Sequence, residues 1–248
     1  ANNVSYVFFT NTHYKNVMNG PGWASLTRDC IVENYIQAGY RMIGAGYPLN
    51  QNSTEKLLLN CQAVHQDNLG TEAHPDVVHM DFLDEEGAWA ENVAVQGFRG
   101  TDLANSQAIF APTTRHKDLA FVNMIIESGN SRIGGGADHL IMRNCTFPSG
   151  NWLWQPSQLY AGPYRHHENC EFTSNIFTTM GPESGTSIDF IEHFENPSRH
   201  NLFSHNAFHS AGEWVGLGTS YRTGIIEYNS GQAKDYRAYP MLGNCIFG

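Results

Sequence analysis

The 248-residue chain contains no apolar run approaching the roughly 18 residues that a membrane-spanning helix needs. It also lacks any excess of positive charge: 14 Lys plus Arg face 24 Asp plus Glu, a formal net charge of -10. The diffuse attraction to phosphate that drives nonspecific nucleic-acid binding is therefore missing, and DNA and anionic membranes are poor partners. No basic segment followed by an apolar one opens the chain, so either a signal was removed or the numbering starts inside a longer protein. Helical signals are almost absent, because no long window keeps apolar residues at i, i+3, i+4 and i+7 between a start cap and a stop. Cysteine is scarce as well. Five cysteines and no CxxC pair argue against both a disulfide scaffold and a zinc site. "NVS" at Asn3, "NST" at Asn52 and "NCT" at Asn144 fit the glycosylation pattern, but such tripeptides arise often by chance.

What the chain does have is 24 Gly, 10 Pro and many short alternating apolar runs. Every cysteine follows Asn or Asp: "DCIV" from Asp29, "NCQA" from Asn60, "NCTF" from Asn144, "NCEF" from Asn169 and "NCIF" from Asn244. Free cysteine behaves as a small buried hydrophobe, so the shared context suggests five equivalent buried positions. Strand-length relatives include "NVAVQGF" from Asn92, "DLAFVNMII" from Asp118 and "NLFSHNAF" from Asn201. Taking Asn123, Asn144, Asn169 and Asn206 as marks gives gaps of 21, 25 and 37 residues. Repeats of this length imply stacked units, since one repeat cannot bury its apolar face alone. In such a stack Asn would turn a corner in left-handed backbone geometry and bond its neighbours up and down a ladder. Cysteine would point inward, and the apolar residue two places on would return to the core by strand alternation.

The "NC-x-F" and "N-x-F" turns, Asn144 to Phe147, Asn169 to Phe172, Asn175 to Phe177 and Asn206 to Phe208, resemble those of the right-handed parallel β-helix superfamily. Pectate lyases, polygalacturonases, alginate lyases and phage tailspikes belong to it. The resemblance spans about residues 28 to 247 and implies an all-β, single-stranded parallel β-helix, one domain over 1–248. A piece of a longer protein is the alternative to a whole one, and a β-sandwich or jelly roll the competing architecture.

Functional residue types are densest in "HQDNLGTEAHPDVVHMDFLDEE", His65 to Glu86. Strand alternation from Asp76 puts Val78, Met80 and Phe82 on the buried side and Val77, His79 and Asp81 on the other. His79 and Asp81 would then project together, the carboxylate holding the imidazole in one tautomer for general-base work. His65 with Asp67, and His74 with Asp76 in the connecting turn, repeat the combination; a polar turn of ordinary structural function is the plain reading of the latter. "HPDVVH" resembles the H-x-D-[GV]-[IV]-Q segment of many β-helix proteins, with His79 in the usual Gln position. Asp81, Asp84 and Glu85 in "DFLDEE" offer hard oxygen ligands for Ca²⁺, although an acidic loop is usually only solvated.

In the polysaccharide lyases of the resembling fold, a basic residue removes the proton alpha to a uronate carboxylate, and Arg, Lys or Ca²⁺ neutralises that carboxylate. The resemblance makes Arg99 and Arg115 candidates for the second role, if their strands stack beside that of His79. A surface arginine paired with a neighbouring Asp is the plain alternative. The paired-Asp pattern of polygalacturonases does not occur. Trp152, Trp154, Tyr160, Tyr164 and Arg165 fall in one Pro- and Gly-containing segment read as a loop, a suitable platform for the flat C–H faces of sugars. The expectation is a secreted or cell-surface enzyme that degrades an acidic polysaccharide by β-elimination, with His79, Asp81, Arg99 and Arg115 as its machinery. The alternative is a noncatalytic glycan-binding or adhesive β-helix module of a surface or phage appendage protein.

Overall fold

The computed structural model describes residues 7–21, 24–42, 53–66, 76–80, 89–103, 107–111, 115–127, 131–133, 136–154, 168–180, 200–208, 225–227, 233–235 and 246–247. Among these residues all regular structure is β, and nearly every pairing is parallel. The first run of strands is Phe8–Thr10, Leu26–Arg28, Ser53–Leu59, Trp89–Gln96, Arg115–Val122, Gly136–Arg143, Glu171–Thr173 and Leu202–Ser204, stacked in strict chain order. A second run stacks the start of Ile31–Arg41 on Gln62–Gln66, Arg99–Thr101, Ile125–Glu127, Thr146–Trp154 and onwards to Ile246–Phe247. A third stacks the end of Ile31–Arg41 on Asp76–His79, Gln107–Ala111, Ser131–Ile133 and the end of Thr146–Trp154. The long strands Ile31–Arg41 and Thr146–Trp154 bend from the second run into the third, so the sheets curl. One antiparallel pair, Ile225–Glu227 with Ala233–Asp235, stands apart.

The corner that ends each first-run strand repeats one backbone solution. Asn11, Asp29, Asn60, Gly97, Asn123, Asn144, Ser174 and His205 all have φ between 51° and 66°. Asn and Asp tolerate this left-handed geometry better than other non-glycine residues. The amide of one corner residue bonds to the carbonyl that ends the next strand, as in Asn60 N to Gln96 O at 2.8 Å and Asn123 N to Arg143 O at 3.0 Å. Stacked amides add to this: Asn144 Nδ2 donates to Asn123 Oδ1 at 3.3 Å. At Gly97 the corner has no room for a Cβ, which would lie 2.4 Å from Asn60 Oδ1.

The residue after every one of these corners except Asn11 is buried. Cys30, Cys61, Phe98, Met124, Cys145, Asn175 and Asn206 form this inward column. Val32, Ala63 and Phe147, two places beyond their cysteines, return to the core. The cysteines are not all equivalent, however. Register through Ile141 and Glu171 sets Cys170 beside Leu140, at a second left-handed corner occupied in other strands by Asn92, Asp118, His139 and His200. Both corners follow a residue that tolerates positive φ with a buried one, and cysteine serves in either, so they look alike in the chain. Asn206 departs in the other direction: His205 takes the corner, and Asn206 takes the inward place that cysteine holds elsewhere. Burial raises the thiols of Cys145 and Cys170 to about 12, which leaves them as unreactive core filler. Cys245 lies outside the described residues.

Candidate functional site

The strand Asp76–His79 lies in the third run, between the end of Ile31–Arg41 and Gln107–Ala111. Its backbone approaches the first of these closely: a Cβ on Gly39 would come within 2.8 Å of Val77 O, so glycine is what admits the contact. Val77 and Val78 are both fully buried, which encloses the strand on both sides and sets aside the expected alternation with Val77 outward.

Asp76 and His79 meet at this strand. His79 Nδ1 lies 2.6 Å from Asp76 Oδ2. The carboxylate side chain is 2% exposed and the imidazole 20%. With the carboxylate ionised, Nδ1 carries the proton and Nε2 becomes the nitrogen suited to proton transfer. His79 is thus paired through Nδ1 with Asp76, which the sequence placed in a turn with His74. Residues three apart in a strand nominally face opposite ways, so the period-two reading could not find this contact. Asp81 itself lies outside the described residues, as do His74, Asp84, Glu85, Tyr160, Tyr164 and Arg165. No cluster of three His, Cys, Asp or Glu side chains able to hold a metal occurs among the described residues.

Arg41 and Tyr35 complete the surroundings, and nothing in the sequence spacing signalled either. Arg41 stands beside His79 in register on the adjoining strand. Its guanidinium is drawn below its usual value by burial, while the charge of Asp76 works in the opposite direction. Tyr35 is fully buried. Burial first, and then the negative charge of Asp76, hold its phenol well above the usual range, which keeps it a hydroxyl donor.

The two expected arginines are elsewhere. Arg99, itself exposed, opens a strand of the second run between Gln62 and Ile125, and Arg115 opens a first-run strand between Trp89 and Gly136. Neither strand pairs with Asp76–His79. Trp152 and Trp154 lie in a strand, where a loop was expected, opposite Ser131 and Ile133. That strand belongs to the run of His79: the register passes from His79 to Phe110, Arg132 and Leu153. Three inter-strand steps separate the ends, about 14 Å at the usual spacing.

Two other histidines that turn Nδ1 to a carboxylate provide a contrast. His65 Nδ1 lies 2.8 Å from Asp102, and His139 Nδ1 lies 2.7 Å from Asp118; Asp67, expected beside His65, lies outside the described residues. Each pair joins corner residues of adjacent strands, and both histidines are about half exposed. Among the described residues, only at Asp76 is the carboxylate of such a pair buried. No family model, characterised protein or solved structure matches the chain. No helix among the described residues is long and apolar enough to cross a membrane.

Proposed function

We propose that the chain is a right-handed parallel β-helix that cleaves an acidic polysaccharide by β-elimination, outside the cell or at its surface. Three runs of parallel strands visited in a repeating order support the fold, and crossovers between parallel strands are overwhelmingly right-handed. The observation that carries the function is the buried Asp76 carboxylate 2.6 Å from Nδ1 of the partly exposed His79. A base held in one tautomer by a carboxylate is suited to taking a proton from carbon.

In this reading Nε2 of His79 takes the proton alpha to a uronate carboxylate. The electron pair forms the new C=C bond, the bond to the glycosidic oxygen at the beta carbon breaks, and that oxygen leaves with a proton taken from solvent water. Arg41, beside His79 in register, pairs with the uronate carboxylate and takes the part first given to Arg99 and Arg115. The sugar chain runs along the third run towards the strand of Trp152 and Trp154.

The test is a panel of acidic and neutral polysaccharides, with and without Ca²⁺, followed by the ultraviolet absorbance of unsaturated sugars and by reducing ends. Wild type raises both signals. His79→Ala keeps the fold and loses turnover by at least about 100-fold, the usual scale for general-base removal. Full activity in that variant would sink the assignment.

The placing of Arg99 and Arg115 in other runs than His79 favours a second reading, the noncatalytic glycan-binding module. It requires saturable binding that depends on Trp152 or Trp154 and no shortening of the polymer.

A further inference from the structure

The cysteines of the coil differ in what stands beside them. Arg28 faces Leu59 in the first run and Ile31 faces Gln62 in the second, so the segment Asp29–Ile31 lies along Asn60–Gln62. Cys30 and Cys61 are therefore direct neighbours on consecutive strands, although they are 31 residues apart in the chain. Cys145 instead stands between Met124 and Asn175, and Cys170 between Leu140 and Asn201. Among the described residues, no other two cysteines adjoin in register.

Both thiols are free and fully buried, and both take the same direction. Cys30 Sγ lies 3.3 Å from Arg28 O, and Cys61 Sγ lies 3.3 Å from Leu59 O, the equivalent atom one strand on. Cys61 Sγ also reaches back to Thr27 O on the preceding strand, at 3.5 Å. Neighbours in register lie about 4.8 Å apart, inside the window of roughly 4.4–6.8 Å that disulfides span between Cα atoms. The Cβ atoms must close by only about half an ångström, a displacement that ordered backbone makes thermally, with a change of rotamer at one thiol.

Tyr40 holds the two strands at this spacing. Its hydroxyl lies 2.9 Å from the carbonyl of Cys30 and 2.9 Å from that of Gln62. One buried side chain thus spans both strands beside the thiol pair.

We propose that Cys30 and Cys61 are a disulfide site, a covalent staple between two consecutive strands of the coil. The oxidant is a small-molecule disulfide such as glutathione disulfide. A thiolate of the pair attacks one of its sulfurs and releases one glutathione. The second cysteine then displaces the other glutathione from the mixed disulfide. Two protons and two electrons leave the pair and appear in two molecules of reduced glutathione.

The exchange belongs to folding. Burial raises the thiol of Cys61 to about 11, and only the thiolate attacks, so the enclosed pair exchanges slowly. The bond forms while the two strands come together, in the oxidising surroundings that action outside the cell supplies. Its occurrence in the living system rests on that reading of location; the capacity of the pair to form it does not.

The experiment refolds the full chain from denaturant in a buffer of oxidised and reduced glutathione. The remaining thiols are then alkylated under denaturing conditions and the protein is weighed. The expected result is three alkylated cysteines of the five, with the peptides of Cys30 and Cys61 joined when mapped without reductant. The cross-linked protein melts about 5 °C or more above its reduced form, and Cys61→Ala is alkylated at all four cysteines it retains. Alkylation of all five cysteines in the wild type, or a bond that joins any other pair, overturns the proposal. A cross-linked form that melts no higher than the reduced one overturns the role as a staple. Should the chain not refold, the native protein is held with glutathione disulfide in urea below its unfolding transition and read in the same way. The buffer sets the redox potential and no polysaccharide is present, so a negative polysaccharide panel bears on the proposed reaction and a missing cross-link on this site.

Discussion

Cys145 and Asn175 are neighbours in one inward column, yet they solve burial in opposite ways. The thiol needs little: Cys145 Sγ makes weak contacts of 3.4 Å to the carbonyls of Arg143 and Phe121. The Asn175 amide is bonded throughout. Its Oδ1 accepts from Cys145 N at 2.9 Å, and its Nδ2 donates to Met142 O at 3.0 Å and to Asn206 Oδ1 at 2.9 Å. Asn206 continues the chain by donating to Phe172 O at 2.9 Å. The comparison shows that the interior accepts a polar side chain where stacking brings matching partners to it. Gln66 is the contrast: its side-chain amide is buried and unbonded among the described residues.

The largest effect expected from breaking this comparison is at Asn175. Asn175→Leu leaves the amide of Cys145 without its acceptor and strips Asn206 Oδ1 of a donor, at a cost of about 3 kcal/mol. Chemical denaturation with a linear extrapolation measures it. A loss below about 1 kcal/mol would mean that the ladder contributes little beyond what apolar filling of the column supplies.

A smaller loss is expected at Gly97, the corner residue with φ of 66°. Gly97→Ala adds a Cβ against Asn60 Oδ1 and places alanine in a left-handed conformation, at about 1–2 kcal/mol. A melting curve unchanged from wild type would show that Asn60 moves aside freely.

The smallest effect lies on the outer face. Burial opposes ionisation of Glu171, but hydrogen bonds from Arg143 and Thr173 prevail and hold its carboxyl below the usual range. A depressed folded-state value gives stability that is present above the unfolded value and is lost as pH falls through the folded one. Arg143→Ala should therefore lower stability at neutral pH by less than about 1 kcal/mol, as exposed pairs do. The difference from wild type should vanish as pH falls below the carboxylate range. Urea titrations at pH 7 and pH 3 compare the two proteins, and a difference that persists in acid would assign Arg143 a packing role.

Legibility in the chain followed the range of the interaction. The corners were readable because each needs only adjacent residues: Asn144 for the left-handed turn, Cys145 for the inward place and Phe147 for the return to the core. Which of two corners a given pair occupies was not readable, so Cys170 was grouped with Cys145. The residues beside His79 were the least readable. Arg41 is brought next to it by register between strands far apart in sequence, and the contact from Asp76 to His79 breaks the strand period that located His79.

The sequence by itself determined that the chain forms short strands joined at tight polar corners, because Asn, Gly and alternating apolar residues act on the backbone within a few positions. The tertiary structure alone decided which strands lie side by side. Strand register depends on the fit of whole buried faces, and it placed Arg41 beside His79, sent Arg99 and Arg115 to other runs, and enclosed Asp76 with Tyr35.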